Sequence, residues 1–271
     1  MNYQRYTPHP LLAPYVQCYW SVESMDTCVN PSKERIFPDG CTELIFHYGE
    51  LFTKSAFPDV SIVQPRSFIH GQIKGFMEIS ATGKVGIFSV RFHPDGLSAF
   101  ARHDLQDITG ANIDVKDFWG GDGDVLADRI LNAACNRQRI SLVEQFLFRR
   151  LSGFGQAAGA VAHCVQAISL SNGNVNIDGL AAKLNVGRRH LERKFASNVG
   201  LSPKLLARIV RFQHILTLIE HRRFDKLTTL AYEGGFYDQA HFIKDFKIFT
   251  GLNPKQYFSE NLALAKFFSL T

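Results

Sequence analysis

Seven side chains in the last third of the chain have the types and spacing to read base pairs. Arg188, Arg189, Glu192 and Arg193 lie in one short stretch, and Gln239, His241 and Lys244 in another. Arginine donates two hydrogen bonds to a guanine edge, glutamine pairs with adenine in the same two-pronged way, and arginine or lysine can neutralise a phosphate. That chemistry needs a rigid element that carries the side chains into a groove, which for a major groove means a helix. Arg208 and Arg211 are further phosphate candidates, although lone cations on a surface helix are more often simply solvated.

The stretch from Ile177 to Phe258 meets this demand twice. Leu180-Ala181, Val186, Arg193, Phe195, Gly200 and Pro203 recur as Leu230-Ala231, Phe236, Lys244, Phe246, Gly251 and Pro254, a shift of 50 residues that becomes 51 after one insertion. In the first copy Ile177, Leu180, Ala181 and Leu184 predict one buried helical face, and Asn185-Val186-Gly187 makes the turn. The following helix buries Leu191 and Phe195, which leaves Arg188, Arg189, Glu192 and Arg193 outward, with Ser197 beyond them. In the second copy Leu227, Leu230 and Ala231 face inward, Gly234-Gly235-Phe236-Tyr237 turns, and Asp238 caps a helix that buries Phe242 and Phe246. Gln239, Ala240, His241 and Lys244 are left outward. Pro203 opens a long helix between the copies, with Leu206, Ile209, Val210, Leu216 and Ile219 as its apolar positions.

These residues, Leu180-Ala181 through Pro203 and Leu230-Ala231 through Pro254 and Tyr257, resemble the C-terminal domain of AraC/XylS-type bacterial transcription regulators over about residues 161–258. The resemblance implies a linker helix that holds two recognition helices rigidly, so that they enter successive major-groove segments on one face of double-stranded DNA. It places base readout on Arg189, Glu192, Arg193, Gln239, His241 and Lys244, and implies RNA polymerase as a partner if the protein activates. The family usually has Ser or Thr where Gly187 stands; glycine still caps a helix but offers no hydroxyl. Ile36 to Phe46 and Gly86 to Pro94 resemble the β-rich sensor domains joined to a subset of this family, which implies a cupin-like ligand pocket.

Residues 1–95 fit that expectation on their own pattern, with short apolar runs such as Tyr15–Val22, Thr42–Tyr48 and Val85–Phe92 between Gly, Pro and Asp turns. They predict a β-sandwich or small barrel, with Gly71, Gly75, Gly83 and Gly86 suited to hairpin turns or bulges. Trp20, Phe37 and Phe46 are the aromatics expected to wall a small-molecule cavity. Helices follow in residues 96–152, one of them capped by Asp122 or Asp124. Another carries an apolar stripe of Ile140, Val143, Phe146, Leu147 and Leu151, which either packs on its own sheet or forms a homodimer. Gly153 to Gly159 reads as linker (153–160), and residues 261–271 as a tail beyond the double helix-turn-helix domain of 161–260. The fold class is thus α+β: a β-rich, cupin-like sensor domain with flanking helices in 1–152, then an all-α domain of two helix-turn-helix units joined by a linker helix.

Charge supports the division. Residues 161–271 hold 15 Lys and Arg against 8 Asp and Glu, net +7, whereas residues 1–160 hold 15 against 17, net −2. The positive half is the one suited to a polyanion. Five cysteines never form a CxxC pair, so neither a disulfide framework nor a zinc knuckle is indicated, and a redox role would fall to Cys18, Cys28 or Cys41. His47, His70 and His93 with Glu43 or Glu50 would be the ligands of a metal-dependent cupin-type enzyme, but no His-x-His pair with a following carboxylate is present. No nucleophile elbow, P-loop or dinucleotide fingerprint occurs. The sequence therefore predicts a regulator rather than an enzyme, without cofactor, cytoplasmic and on the nucleoid when bound to DNA. An architectural DNA binder without a ligand is the third reading.

Overall fold

In the computed structural model, which describes residues 1–24, 33–56, 60–151, 159–221 and 226–259, the first part of the chain is a two-sheet sandwich. Its strands are β1 (Asn2–Tyr6), β2 (Val16–Glu23), β3 (Glu34–Ile36), β4 (Glu43–His47), β5 (Phe52–Ala56), β6 (Val60–Val63), β7 (Ser67–His70), β8 (Met77–Ala81), β9 (Gly86–Phe92) and β10 (Asn112–Asp114). One sheet runs β1-β2-β9-β4-β7-β10 and the other β3-β8-β5-β6, with every pairing antiparallel. β10 carries the sheet beyond the expected end at residue 95, because Asn112–Asp114 pairs with His70–Phe68.

Strand alternation sends side chains into two cores. Leu44 and Phe46 of β4 and Phe88, Val90 and Phe92 of β9 pack against the helices α1 (Val115–Trp119), α2 (Gly121–Leu131) and α3 (Asn136–Leu151). Trp20, Val22 and Ile87 point the other way, onto Ile36, Phe52, Ile79 and Ala81 of the second sheet. β9 is buried on both faces, which is why Val85 to Phe92 reads as an almost continuous apolar run.

The structure decides one open alternative and corrects one helix cap here. The apolar stripe of α3 belongs to its own domain, since Val143 and Leu147 are 0% exposed and Phe146 only 4%, all inside the core beneath the larger sheet. α2 is capped by Gly120, and Asp122 and Asp124 sit in its first turn, where a negative charge faces the positive end of the helix dipole. Gly71, Gly75, Gly83 and Gly86 do not have left-handed backbones. Gly71 serves close approach instead, because a Cβ there would lie 2.0 Å from the Ile108 carbonyl oxygen. The expected linker at 153–160 and the tail at 261–271 lie almost wholly outside the described residues, as does Cys28.

The remaining helices are α4 (Ala160–Leu170), α5 (Ile177–Lys183), α6 (Arg188–Val199), α7 (Pro203–Glu220), α8 (Leu227–Glu233), α9 (Gln239–Thr250) and α10 (Pro254–Ser259). Their shared core includes Leu191, Phe195, Leu206, Ile209, Phe212, Phe242 and Phe246, and also one residue of the sandwich, Phe37.

Candidate nucleic-acid interface and effector cavity

The two repeats fold alike down to single hydrogen bonds. The Val186 N–H donates to the Ala181 carbonyl at 3.1 Å, and the Phe236 N–H donates to the Ala231 carbonyl at 2.9 Å. Each turn needs one left-handed residue, supplied by Asn185 (φ 50°) in the first unit and Gly235 (φ 74°) in the second. Asp238 caps α9 by accepting from the His241 N–H at 2.7 Å, and Ser202 caps α7 ahead of Pro203. Gly187 caps α6 without a side-chain hydrogen bond.

Buried Leu191 and Phe195 fix the rotation of α6, and Phe242 and Phe246 fix that of α9. Arg188, Arg189 and Arg193 are exposed as a result, and so are His241 and Lys244; Glu192 and Gln239 are partly so. Arg188 is held by Asp178 at 2.9 Å and by Glu192 at 3.1 Å. The Arg193 guanidinium lies 3.3 Å from His190 Nδ1, and the Gln239 amide oxygen accepts from the Thr228 hydroxyl at 3.1 Å.

Three other candidates serve structure. Arg208 grips buried Asp245 with two bonds of 3.1 and 2.7 Å, tying α7 to α9. Arg211 donates to the Gly173 carbonyl at 2.9 Å and lies over the Phe236 ring. Ser197 bonds to Asp104 of the sandwich domain.

That last bond belongs to a wider junction. Gly200 ends α6 in a left-handed turn (φ 82°), and its carbonyl accepts from the Thr109 hydroxyl at 2.7 Å. Gly251 ends α9 in the same way (φ 74°), and a Cβ there would lie 2.5 Å from the Phe76 ring. Between them the Phe37–Gly40 segment rests on α7. The Phe37 ring meets Phe212 edge to face at 6.0 Å and lies 6.0 Å from Tyr257, and Gln213 donates to the Pro38 carbonyl at 2.7 Å.

The same segment walls a cavity of about 60 Å³ between the two sheets. Trp20 and Phe37 line it as expected, but Phe46 does not. Alternation along β4 turns Glu43, Ile45 and His47 to the cavity and buries Phe46 at 0% exposure on the helical side. A larger cleft of about 280 Å³ lies on the outer face between α2 and α3, lined by Arg102, Arg129, Arg149 and Arg150, and shares no residue with the Phe37–Gly40 segment.

At one end of the inner cavity Glu43 accepts from Trp20 Nε1 at 3.2 Å, Arg91 Nη1 at 3.1 Å and the Ser89 hydroxyl at 3.3 Å. Arg91 also pairs with Asp39. Burial pushes the Glu43 carboxyl up to about 7 against the pull of Arg91. Sequence reasoning passed over this cluster. Its signal was a charged residue inside each of two strands that are otherwise apolar, Glu43 in Thr-Glu-Leu-Ile-Phe and Arg91 in Ser-Val-Arg-Phe, since buried charges must pair.

His47 and His70 also line the cavity, whereas His93 lies 3.2 Å from the Ala13 carbonyl oxygen. Among the described residues no group of three or more His, Cys, Asp or Glu could hold a metal. Burial pushes the Cys18 thiol up, and Cys41 to about 12, which disfavours the thiolate that redox chemistry needs.

Residues 180–260 match the profile of a helix-turn-helix domain family, and residues 4–114 match a domain of unknown function. The HTH-type transcriptional regulator MtrA of Neisseria gonorrhoeae is 36% identical over 85 residues, which is 31% of this chain and 28% of MtrA. An uncharacterized HTH-type transcriptional regulator of Staphylococcus aureus is 32% identical over 101 residues, 34% of this chain and 12% of that protein. The chain thus aligns with less than a third of the length of either relative. Among solved structures, ToxT from Vibrio cholerae aligns with a TM-score of 0.46 at 13% identity, over 88% of this chain and 97% of ToxT.

Proposed function

We propose that this chain, whose C-terminal region is an AraC-type helix-turn-helix domain, is a sequence-specific DNA-binding transcriptional regulator controlled by a small molecule in the inter-sheet cavity. The observation that carries the DNA reading is the duplicated unit, with two helices of equal rotation that leave Arg189, Arg193, Gln239 and Lys244 at the surface. α7, braced by the Arg208–Asp245 pair, sets the relation between them. Arg189 and Arg193 read or anchor the first groove segment, Gln239 and Lys244 the second. Glu192 divides its charge between cytosine readout and holding Arg188. His241, in edge contact with Phe236, adds a donor at the start of α9.

Ligand control is favoured by the position of the cavity, because the segment that walls it also packs on α7. The outer cleft shares no residue with that segment. RNA polymerase is the partner if the protein activates, and the α3 stripe is not available as a dimer surface.

Selection of bound sequences from a random DNA pool, followed by salt-dependent anisotropy titrations, tests the reading. Two half-elements about 10 base pairs apart are expected. On the selected site Arg193→Ala should cost about 1–3 kcal/mol and relax preference at one base position if the side chain reads guanine. If it anchors phosphate, affinity should fall on all sequences and the salt slope should shrink by about one unit. Gln239→Ala should relax one position with little change in slope. Wild-type binding by both variants would show that α6 and α9 do not enter the grooves.

A further inference from the structure

The inner cavity is chemically one-sided. At the Glu43 end its wall presents the carboxylates of Asp39 and Glu43 and the ring of His70, which stands directly opposite Glu43 in the β4–β7 register. His70 Nδ1 lies 2.7 Å from the Asn112 side-chain oxygen, so that nitrogen carries the proton and Nε2 keeps a bare lone pair. Nε2 is buried and has no hydrogen-bond partner among the described residues. His47 repeats the arrangement four residues further along β4: Nε2 faces the Gln64 oxygen at 3.3 Å, and Nδ1 is buried without a partner. The donors near Glu43 are already used, Trp20 and Ser89 on Glu43 itself and Arg91 on Glu43, Asp39 and Gln17. What remains for a ligand at this end is mainly acceptors; Arg91 offsets one of the two carboxylates and the Lys54 ammonium lies near His70, with Ile45, Ile73, Met77, Ile79 and Ile87 as an apolar remainder.

We infer that this cavity takes a small organic cation, a primary ammonium on a short apolar body, with the ammonium donating to His70 Nε2 and the carboxylates of Glu43 and Asp39. The inference rests on the cavity being the effector site. An ammonium has three donors and no acceptor, and so matches a wall of acceptors. A carboxylate ligand would face two carboxylates and a lone pair. The volume of about 60 Å³ corresponds to roughly four to six water-sized positions, which sets the scale of the body at a few carbons.

Proton linkage follows. The groups around Glu43 are Arg91 from β9, Cys18 from β2, Tyr3 from β1, Asp39 and Cys41 from the β3–β4 loop and His70 from β7, with Arg5 of β1 beside Tyr3 and Cys18 and Lys54 of β5 near His70. A cation favours ionised Glu43, whose carboxyl titrates near 7, so binding should weaken as pH falls and the proton must be expelled.

Calorimetric titrations of the full chain with n-butylamine, n-butanol and butyrate at pH 8 and pH 6 test this, with anisotropy on the selected DNA site run alongside. Butylamine should bind best and lose about tenfold in affinity from pH 8 to pH 6. Glu43→Gln should weaken amine binding and abolish its pH dependence. The wild-type pH profile decides even if that variant fails to fold. Preferred binding of butyrate, a flat pH profile for the amine, or no binding of any probe would overturn the cation site. Amine binding with the expected profile but without any change in DNA affinity would uphold the cation site and overturn the effector reading.

Discussion

Replacing Phe37 by alanine tests the junction between the sandwich and the helices. Phe37 is 4% exposed, yet its ring lies in the core of the helical region, against Phe212 and Tyr257. Truncating a fully packed phenylalanine costs about 3–5 kcal/mol, and the two ring contacts are part of that figure. If the two regions were separate in solution, Phe37 would already be in water, and the change would stay within about 0.5 kcal/mol. Urea unfolding separates the cases, because the chain's two tryptophans, Trp20 and Trp119, both report on the sandwich domain, while far-ultraviolet circular dichroism is dominated by the helices. With a urea slope of about 3 kcal/mol/M, a loss of 3 kcal/mol lowers the midpoint by about 1 M. The wild-type transitions should coincide by the two probes, and in Phe37→Ala the helical transition should move first. An unchanged midpoint and slope by both probes would refute the insertion of Phe37 into the helical core.

Val143→Glu should unfold the sandwich domain rather than alter oligomeric mass, because the residue is fully buried and a lone carboxylate there has no partner; a folded variant of reduced mass by light scattering would restore the dimer reading. Acid should destabilise the chain through His47, whose pKa burial lowers to about 4 from an ordinary 6.5. The unfolded state then binds a proton that the folded state refuses, so this group removes stability as pH falls from 6.5 to 4, by up to about 3 kcal/mol. Glu43, raised to about 7, acts oppositely between 4.5 and 7. His47→Gln should therefore lose less stability than wild type between pH 6.5 and pH 4 in urea melts, and an identical decline would show that His47 is not held neutral.

What the sequence revealed was what neighbours along the chain decide. Asp238 as a cap, Pro203 at the start of α7 and the paired turns at Asn185 and Gly235 all follow from local backbone chemistry. The repeat made both helix-turn-helix units legible because each copy checks the other. Decisions made across the fold were hidden. Whether Phe46 or its neighbours Ile45 and His47 faced the cavity depends on which side of the sheet the helices cover. The stripe on α3 has the same pattern for a core as for a dimer, and only the sheet beneath it decides. Arg208 and Arg211 resemble phosphate ligands until Asp245 and Gly173 come within reach.

The glycines that close α6 and α9 have a mechanical consequence. Gly200 abuts Leu105 and Thr109, and Gly251 abuts Phe76, so the sandwich touches the far ends of α6 and α9. These two contacts act like the jaws of a caliper, setting the gap between the helices from outside, while α7 sets it from within. Glycine is required twice over at each jaw, for the left-handed turn and for the room a Cβ would occupy. On the proposed DNA reading, the spacing of the half-elements is a dimension shared by both halves of the chain. On the same reading, a movement of the sandwich that shifts one jaw relative to the other changes the span of DNA that the two helices grip.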